Sequence, residues 1–202
     1  MRSLLLTVGV LFYSLGYAQH FAFELWHDGR LVLDSGDTLK GNIKYNMQEE
    51  LIQLQASGRN ETFTARKVLF FEIFDNTVKH YRQFYSLPYS SNGTYKAPVF
   101  FELLKEGKLT LLARESIEYR TYSSPYSFYG SYTRLVLVNK YFLLQENGEI
   151  KDVVDKKNEW LGLMGNRAEE VQKYAKANRL DFDNKEELVK IIDYYNSFFT
   201  KK

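Results

Sequence analysis

Cysteine is absent from this 202-residue chain. That excludes disulfide staples, thiolate nucleophiles, cysteine-ligated zinc and thioredoxin-type redox chemistry. It also removes the residue that a bacterial lipoprotein needs for its lipid, so the protein is not read as one. Histidine is scarce: His20, His27 and His80 are the only three. No two have the i, i+4 spacing of a helical zinc site, and H-E-x-x-H does not occur, so neither a metal site nor a zinc hydrolase is expected. G-x-S-x-G, G-x-G-x-x-G and the Walker pattern are missing as well. Hence there is no serine elbow, no nucleotide signature and no cofactor to assign. Asp34-Ser35-Gly36-Asp37 resembles the start of a calcium loop but runs straight into an alternating strand, so it reads as a turn.

Neither sign of charge dominates. Lys and Arg number 27, Asp and Glu 25, for a net charge of +2. A near-neutral chain offers no electrostatic footprint for nucleic acid. After the first residues no stretch of 18 apolar residues occurs, so no transmembrane segment is expected in the mature chain.

What the chain does have begins with its leader. Arg2 is a positive n-region, and Leu4 through Leu15 is apolar apart from Thr7, Gly9 and Ser14. Gly16 and Ala18 are small residues at −3 and −1 of a cut before Gln19. This is the pattern of a secretory signal peptide, too short for the roughly 20 residues of a spanning helix. Residues 1–18 are therefore expected to be a leader. Residues 19–155 then form a β domain, and 156–202 a helical segment packed on it.

The β domain is legible as hairpins. Leu31–Leu33 meets Thr38–Tyr45 across Asp34–Asp37. Leu51–Gln55 meets Glu61–Thr64, Val68–Phe74 meets Val78–Phe84, and Val99–Leu104 meets Leu109–Arg114. Leu135–Gln145 meets Glu149–Val154 across Asn147-Gly148, a pair suited to the positive φ of a type I′ turn. Val68–Phe71 and Leu135–Val138 are apolar at every position and read as strands covered on both faces. Towards the end, Asn166-x-x-Glu169 and Asp183-x-x-Glu186 read as helix starts. A shorter helix is expected over 157–164. Leu188, Ile191, Ile192, Tyr195, Phe198 and Phe199 make an apolar stripe that must dock on the sheet. The expected class is α+β: mainly an antiparallel β sandwich or partly open barrel of about nine or ten strands, carrying two or three C-terminal helices.

Two features bear on function. Aromatic residues make up 16% of the chain, and tyrosines crowd the segment Tyr119–Tyr132. Tyr with Ser and Gly is the composition of adaptable binding loops, with broad contact area and polar tips. Tyr122, Tyr126, Phe128 and Tyr129 are the candidate contacts, with Arg120 and Arg134 as polar neighbours. The other reading is a loop that folds over an open sheet end and buries its own rings. The second feature is a set of acids, Glu72, Glu102, Glu115 and Glu118, in or near strands. A hydrolase of envelope polysaccharide or peptidoglycan would need such a pair.

Gly36-Asp37-Thr38-Leu39-Lys40-Gly41-Asn42-Ile43-Lys44-Tyr45, Lys67-Val68-Leu69-Phe70-Phe71, Tyr141-Phe142-Leu143-Leu144 and the closing Tyr194-Tyr195-Asn196 carry a resemblance. With the Ala-Gln cut, the chain resembles a group of exported proteins of Bacteroidetes-type bacteria to which no activity is attached. The resemblance implies a periplasmic or cell-envelope setting and transfers no catalytic residue. The expectation is thus an exported, non-enzymatic protein that binds an envelope protein or glycan through its tyrosine-rich loop.

Overall fold

The computed structural model describes residues 21–90, 93, 95–123, 130–154 and 156–200. The leader lies outside them. No helix among the described residues is long and apolar enough to cross a membrane.

Ten strands form one antiparallel sheet: β1 (His27–Leu33), β2 (Thr38–Asn46), β3 (Leu51–Ala56), β4 (Arg59–Thr64), β5 (Val68–Asp75), β6 (His80–Tyr89), β7 (Ala97–Lys105), β8 (Thr110–Ser123), β9 (Ser131–Leu144) and β10 (Ile150–Val153). Three helices follow: α1 (Lys156–Met164), α2 (Ala168–Ala177) and α3 (Lys185–Ser197). The fold is α+β and mainly β. A single open sheet takes the place of the sandwich alternative.

The strand order is β10-β9-β8-β7-β6-β5-β1-β2-β3-β4. Every neighbour is joined by a hairpin except β1 and β5. Laid flat, β4 and β5 would be separated by four strand spacings, about 19 Å. Ala65–Lys67, the link between them, can bridge only about 14 Å. The sheet therefore curls. The Ala65 N–H donates to the Glu50 carbonyl (3.1 Å) and the Asp34 N–H donates to the Lys67 carbonyl (3.0 Å), pinning the link to both sides of the curl. Two glycines let neighbouring strands approach closely within the curl. Gly29 and Gly41 face each other across β1 and β2. A Cβ on Gly29 would lie 2.3 Å from the Glu72 carbonyl oxygen, and one on Gly41 2.4 Å from that of Gln55.

The curl encloses the first core, in which Leu31, Ile43, Ile52, Phe71, Ile73 and Phe84 are fully buried. Phe71 and Phe84 stack at 4.5 Å. Alternation sets which side chains enter it, because residues two apart in a strand share a face. A second core lies between the helices and β7–β10. Leu111, Ala113, Tyr141 and Leu143 meet Trp160, Val171, Leu188, Ile191 and Ile192. Burying each such aliphatic side chain contributes about 1.5–3 kcal/mol, so the apolar stripe of α3 is core. On the opposite face of the sheet, Phe101, Leu112 and Phe142 make a small third cluster.

Several local expectations are corrected. Leu69 is half exposed and Leu135 is exposed, so neither Val68–Phe71 nor Leu135–Val138 is covered on both faces. The α3 cap is Asn184, whose side chain accepts from the Glu187 N–H at 3.1 Å, one residue later than the Asp183-x-x-Glu186 pattern implies. Asn166 caps nothing: Gly165–Arg167 is a single 3-10 turn that joins α1 to α2. His27 is buried at the start of β1, with its Nε2 bonded to the Ala22 carbonyl at 2.7 Å.

Candidate functional site

Among its described residues, the expected tyrosine loop is almost all strand. β8 pairs with β9 from Thr110↔Leu144 out to Ser123↔Ser131. β7 pairs only with Leu111–Ala113 of β8, and β10 only with Tyr141–Leu144 of β9. Beyond those points the two strands leave the sheet as a ribbon arm. Arg114 marks the departure on one side. Its guanidinium donates to the carbonyls of Phe100 (2.7 Å) and Met47 (2.8 Å) and pairs with Glu50. Those backbone acceptors are thus occupied by a side chain where the β7–β8 ladder has ended.

The arm is wet. Tyr119 is 78% exposed, Tyr132 57% and Leu135 40%. Arg120 and Tyr122 share one face with Arg134 and Tyr132, in the cross-strand pairs Arg120↔Arg134 and Tyr122↔Tyr132. The two tyrosine rings stack with centroids 5.6 Å apart. The Arg134 guanidinium lies over the Tyr122 ring at 4.6 Å and donates to its hydroxyl at 3.4 Å. Three of the six candidate residues, Arg120, Tyr122 and Arg134, are therefore brought together. Tyr126, Phe128 and Tyr129 lie outside the described residues.

Where the arm meets the body there is a cleft of about 350 Å³. Arg120, Leu137, Asn139 and Tyr141 form one wall, and Asp183 and Glu186 at the start of α3 the other. Burial raises the Tyr141 hydroxyl to about 12, helped by the negative charges of Glu186, Asp183 and Glu102. That phenol stays protonated at any physiological pH.

Inside the curl lies a charge cluster that motif reading misses. Arg82 of β6 is buried among three carboxylates: Asp75 of β5 (2.9 Å), Glu102 of β7 (2.8 Å) and Glu115 of β8 (2.5 Å). It grips Glu102 with both prongs of its fork. The Tyr45 hydroxyl accepts from Arg82 at 3.1 Å and donates to Glu115 at 3.0 Å. Lys185 of α3 adds a second cation on Glu102 at 2.7 Å. The guanidinium is raised further above its usual range: burial works against the charge, but the bonds and charges of Glu102, with help from Tyr45 and Glu115, outweigh it. Burial pushes Glu102 up, but Arg82 and Lys185 more than offset it and hold the carboxyl below its usual range. Burial opposes Asp75 likewise, and bonds from Thr77 and Arg82 bring it down. Burial dominates at Tyr45 and raises its hydroxyl well above the usual tyrosine value.

A signal for this cluster was present in the alternation. Asp75 follows the phase of Phe71 and Ile73, Arg82 that of Phe84, Glu102 that of Phe100, and Glu115 that of Leu111 and Ala113. Charges at inward positions of four successive strands must find one another, because an unpaired buried charge is prohibitive. Chemically the arrangement suits structure. A general acid needs a raised carboxyl; Glu102 is lowered, and both of its oxygens are taken.

No family model, curated protein or solved structure matches this chain.

Proposed function

We propose that the protein is an exported, non-enzymatic component of the cell envelope that binds a protein or glycan partner through the β8–β9 arm. The observation that carries this reading is the arm itself. Two 14-residue strands continue well past their last partners in the sheet and hold Tyr119, Tyr132 and Leu135 in water. A hairpin needed only for the core and the charge cluster would end near Glu118 and Val136. Tyr119 and Leu135 stand opposite each other on one face of the ribbon and Tyr132 on the other, and exposed apolar and aromatic side chains of this kind are the chemistry of a contact surface. The leader pattern and the resemblance to exported Bacteroidetes-type proteins support the envelope setting. The paired-acid hydrolase reading draws no support from the geometry, since Glu102 and Glu115 are both committed to Arg82.

The test is retention on defined surfaces: immobilised peptidoglycan, an acidic and a neutral polysaccharide, and purified outer-membrane protein. Wild type is expected to be retained on one of them. A Tyr119→Ser, Tyr132→Ser, Leu135→Ser triple variant with an unchanged melting temperature is expected to be lost from it. Equal retention of the triple variant refutes the arm as the contact.

A further inference from the structure

Arg120 and Arg134 stand directly opposite each other on one face of the arm. Like charges in directly opposed antiparallel positions, with Cβ atoms about 5 Å apart, work against the pairing. The chain does little to relieve the conflict. Among the described residues Glu118 is the only carboxylate paired with Arg120, at 3.9 Å and with both side chains about half exposed. Among the described residues Arg134 forms no ion pair; it lies over the Tyr122 ring instead. The next pair outward is Tyr122↔Tyr132, stacked at 5.6 Å, with Tyr132 57% exposed. Like charges are also opposed at Arg30↔Lys40 and Arg114↔Lys140, but there a carboxylate sits close on the arginine, Glu72 at 3.2 Å and Glu50 respectively. At Arg120↔Arg134, beside the stacked rings, the described residues leave the conflict almost unrelieved. Such a violation is expected at a functional site.

We infer that this face is a subsite for an acidic glycan, with a sugar carboxylate bound between Arg120 and Arg134 and a pyranose ring against Tyr132. The inference rests on the arm being the contact surface. Guanidiniums bind carboxylates through paired N–H donors, and a bridging anion turns the Arg–Arg repulsion into attraction for both. The open side of the Tyr132 ring offers a flat apolar surface for the C–H face of a sugar, with a phenol at its rim for a hydroxyl. A two-arginine site on a near-neutral chain suits isolated carboxylates, not the dense phosphates of a nucleic acid. An acidic peptide could satisfy the arginines but has no flat C–H face to match the stacked rings.

The experiment is calorimetric titration of the full chain with four tetramers: galacturonate, its methyl ester, a neutral glucan, and glutamate. Galacturonate is expected to bind saturably. The ester and the glucan should bind at least tenfold more weakly, and glutamate more weakly than galacturonate. An Arg120→Gln, Arg134→Gln variant should lose at least tenfold for galacturonate while melting no lower than wild type. Tyr132→Ser should weaken galacturonate and leave glutamate unchanged. Absence of saturable galacturonate binding, equal binding of the ester or glucan, or full binding by the arginine variant overturns the inference. Glutamate binding as tight as galacturonate makes the site an acidic-peptide clamp and overturns it too. The arm reading stands or falls separately: if the triple variant loses retention but the arginine variant keeps it, only the acidic-glycan inference fails.

Discussion

The Lys185 ammonium donates to Glu102 at 2.7 Å across 83 residues of sequence. This bond joins the first turn of α3 to the floor of the curled sheet. Through Glu102 it reaches Arg82, and through Arg82 it reaches Asp75, Glu115 and Tyr45. The helical layer and the curl are thus tied by one buried network as well as by apolar packing.

Removing the hub should be far worse than removing the tie. Arg82→Met leaves three inward carboxylates without their main cation. Losing one partner of a buried pair costs about 3–5 kcal/mol. Lys185→Met removes one charged hydrogen bond, worth about 1.5–3 kcal/mol. Urea denaturation of both variants checks the order. Similar midpoints for the two would sink the idea of Arg82 as hub.

The same network sets an acid limit. Asp75 and Glu102 are held below their usual carboxylate range in the folded state. A depressed folded value means the stabilisation is complete above the unfolded pKa, near 4. It is lost as pH falls through the lower folded value, where the unfolded chain takes up protons first. Denaturation midpoints should therefore hold from pH 7 to about 5 and drop steadily towards pH 2.5. Glu102→Gln should flatten that drop while lowering the midpoint at pH 7. A wild-type midpoint unchanged down to pH 3 would contradict the assignment.

Asn196 and Gly107 form a second tie between α3 and the sheet. The Asn196 side chain accepts from the Leu109 N–H and donates to its carbonyl, both at 2.9 Å. A Cβ at Gly107 would lie 2.3 Å from Asn196 Nδ2. Gly107→Ala should displace the amide and cost about 1–3 kcal/mol. Asn196→Leu should cost at least as much, because it strands a buried N–H and C=O. Amide hydrogen exchange at Leu109 reads the effect directly, and unaltered protection in both variants would exclude this role.

Gly29 is predicted to be intolerant of any side chain. Gly29→Ala places a carbon against the Glu72 carbonyl oxygen at 2.3 Å, so β1 must separate from β5. Gly58, with φ +75° and open space around it, serves as the comparison, since Gly58→Ala carries only local backbone strain of about 1 kcal/mol. Thermal melts should rank Gly29→Ala as the more damaging. The reverse order would show that the curl tolerates loosening.

Much of the fold was legible from alternation and turn chemistry. The Asn147-Gly148 and Asp34–Asp37 turns sit where those residues suggest, and the stripe of α3 is buried as its period requires. The first is not the expected type I′ turn, since Gly148 has a positive φ and Asn147 does not. What failed did so for physical reasons. Periodicity cannot tell Leu135–Val138 in a covered strand from the same run in a projecting one, because exposure depends on where β7 and β10 stop pairing. The Tyr, Ser and Gly composition suggested a loop from Tyr119 to Tyr132, but the ladder with β9 keeps β8 extended to Ser123. Reading acids as possible catalysts hid the rule that inward charges must be matched. Once Arg82 is placed in phase with Phe84, Glu102 and Glu115 become its partners.

The placement of β1 between β2 and β5 bears on the order of assembly. β6 to β10 follow one another as hairpins, each able to zip onto the strand before it. β1 has its second neighbour more than thirty residues downstream, so a chain emerging amino end first must wait for Val68–Asp75 before the curl can close. Until then, the inward faces of β1, β2 and β3 have no lid. The vulnerable interval in making this protein therefore falls early, ending when a strand less than halfway along the chain arrives.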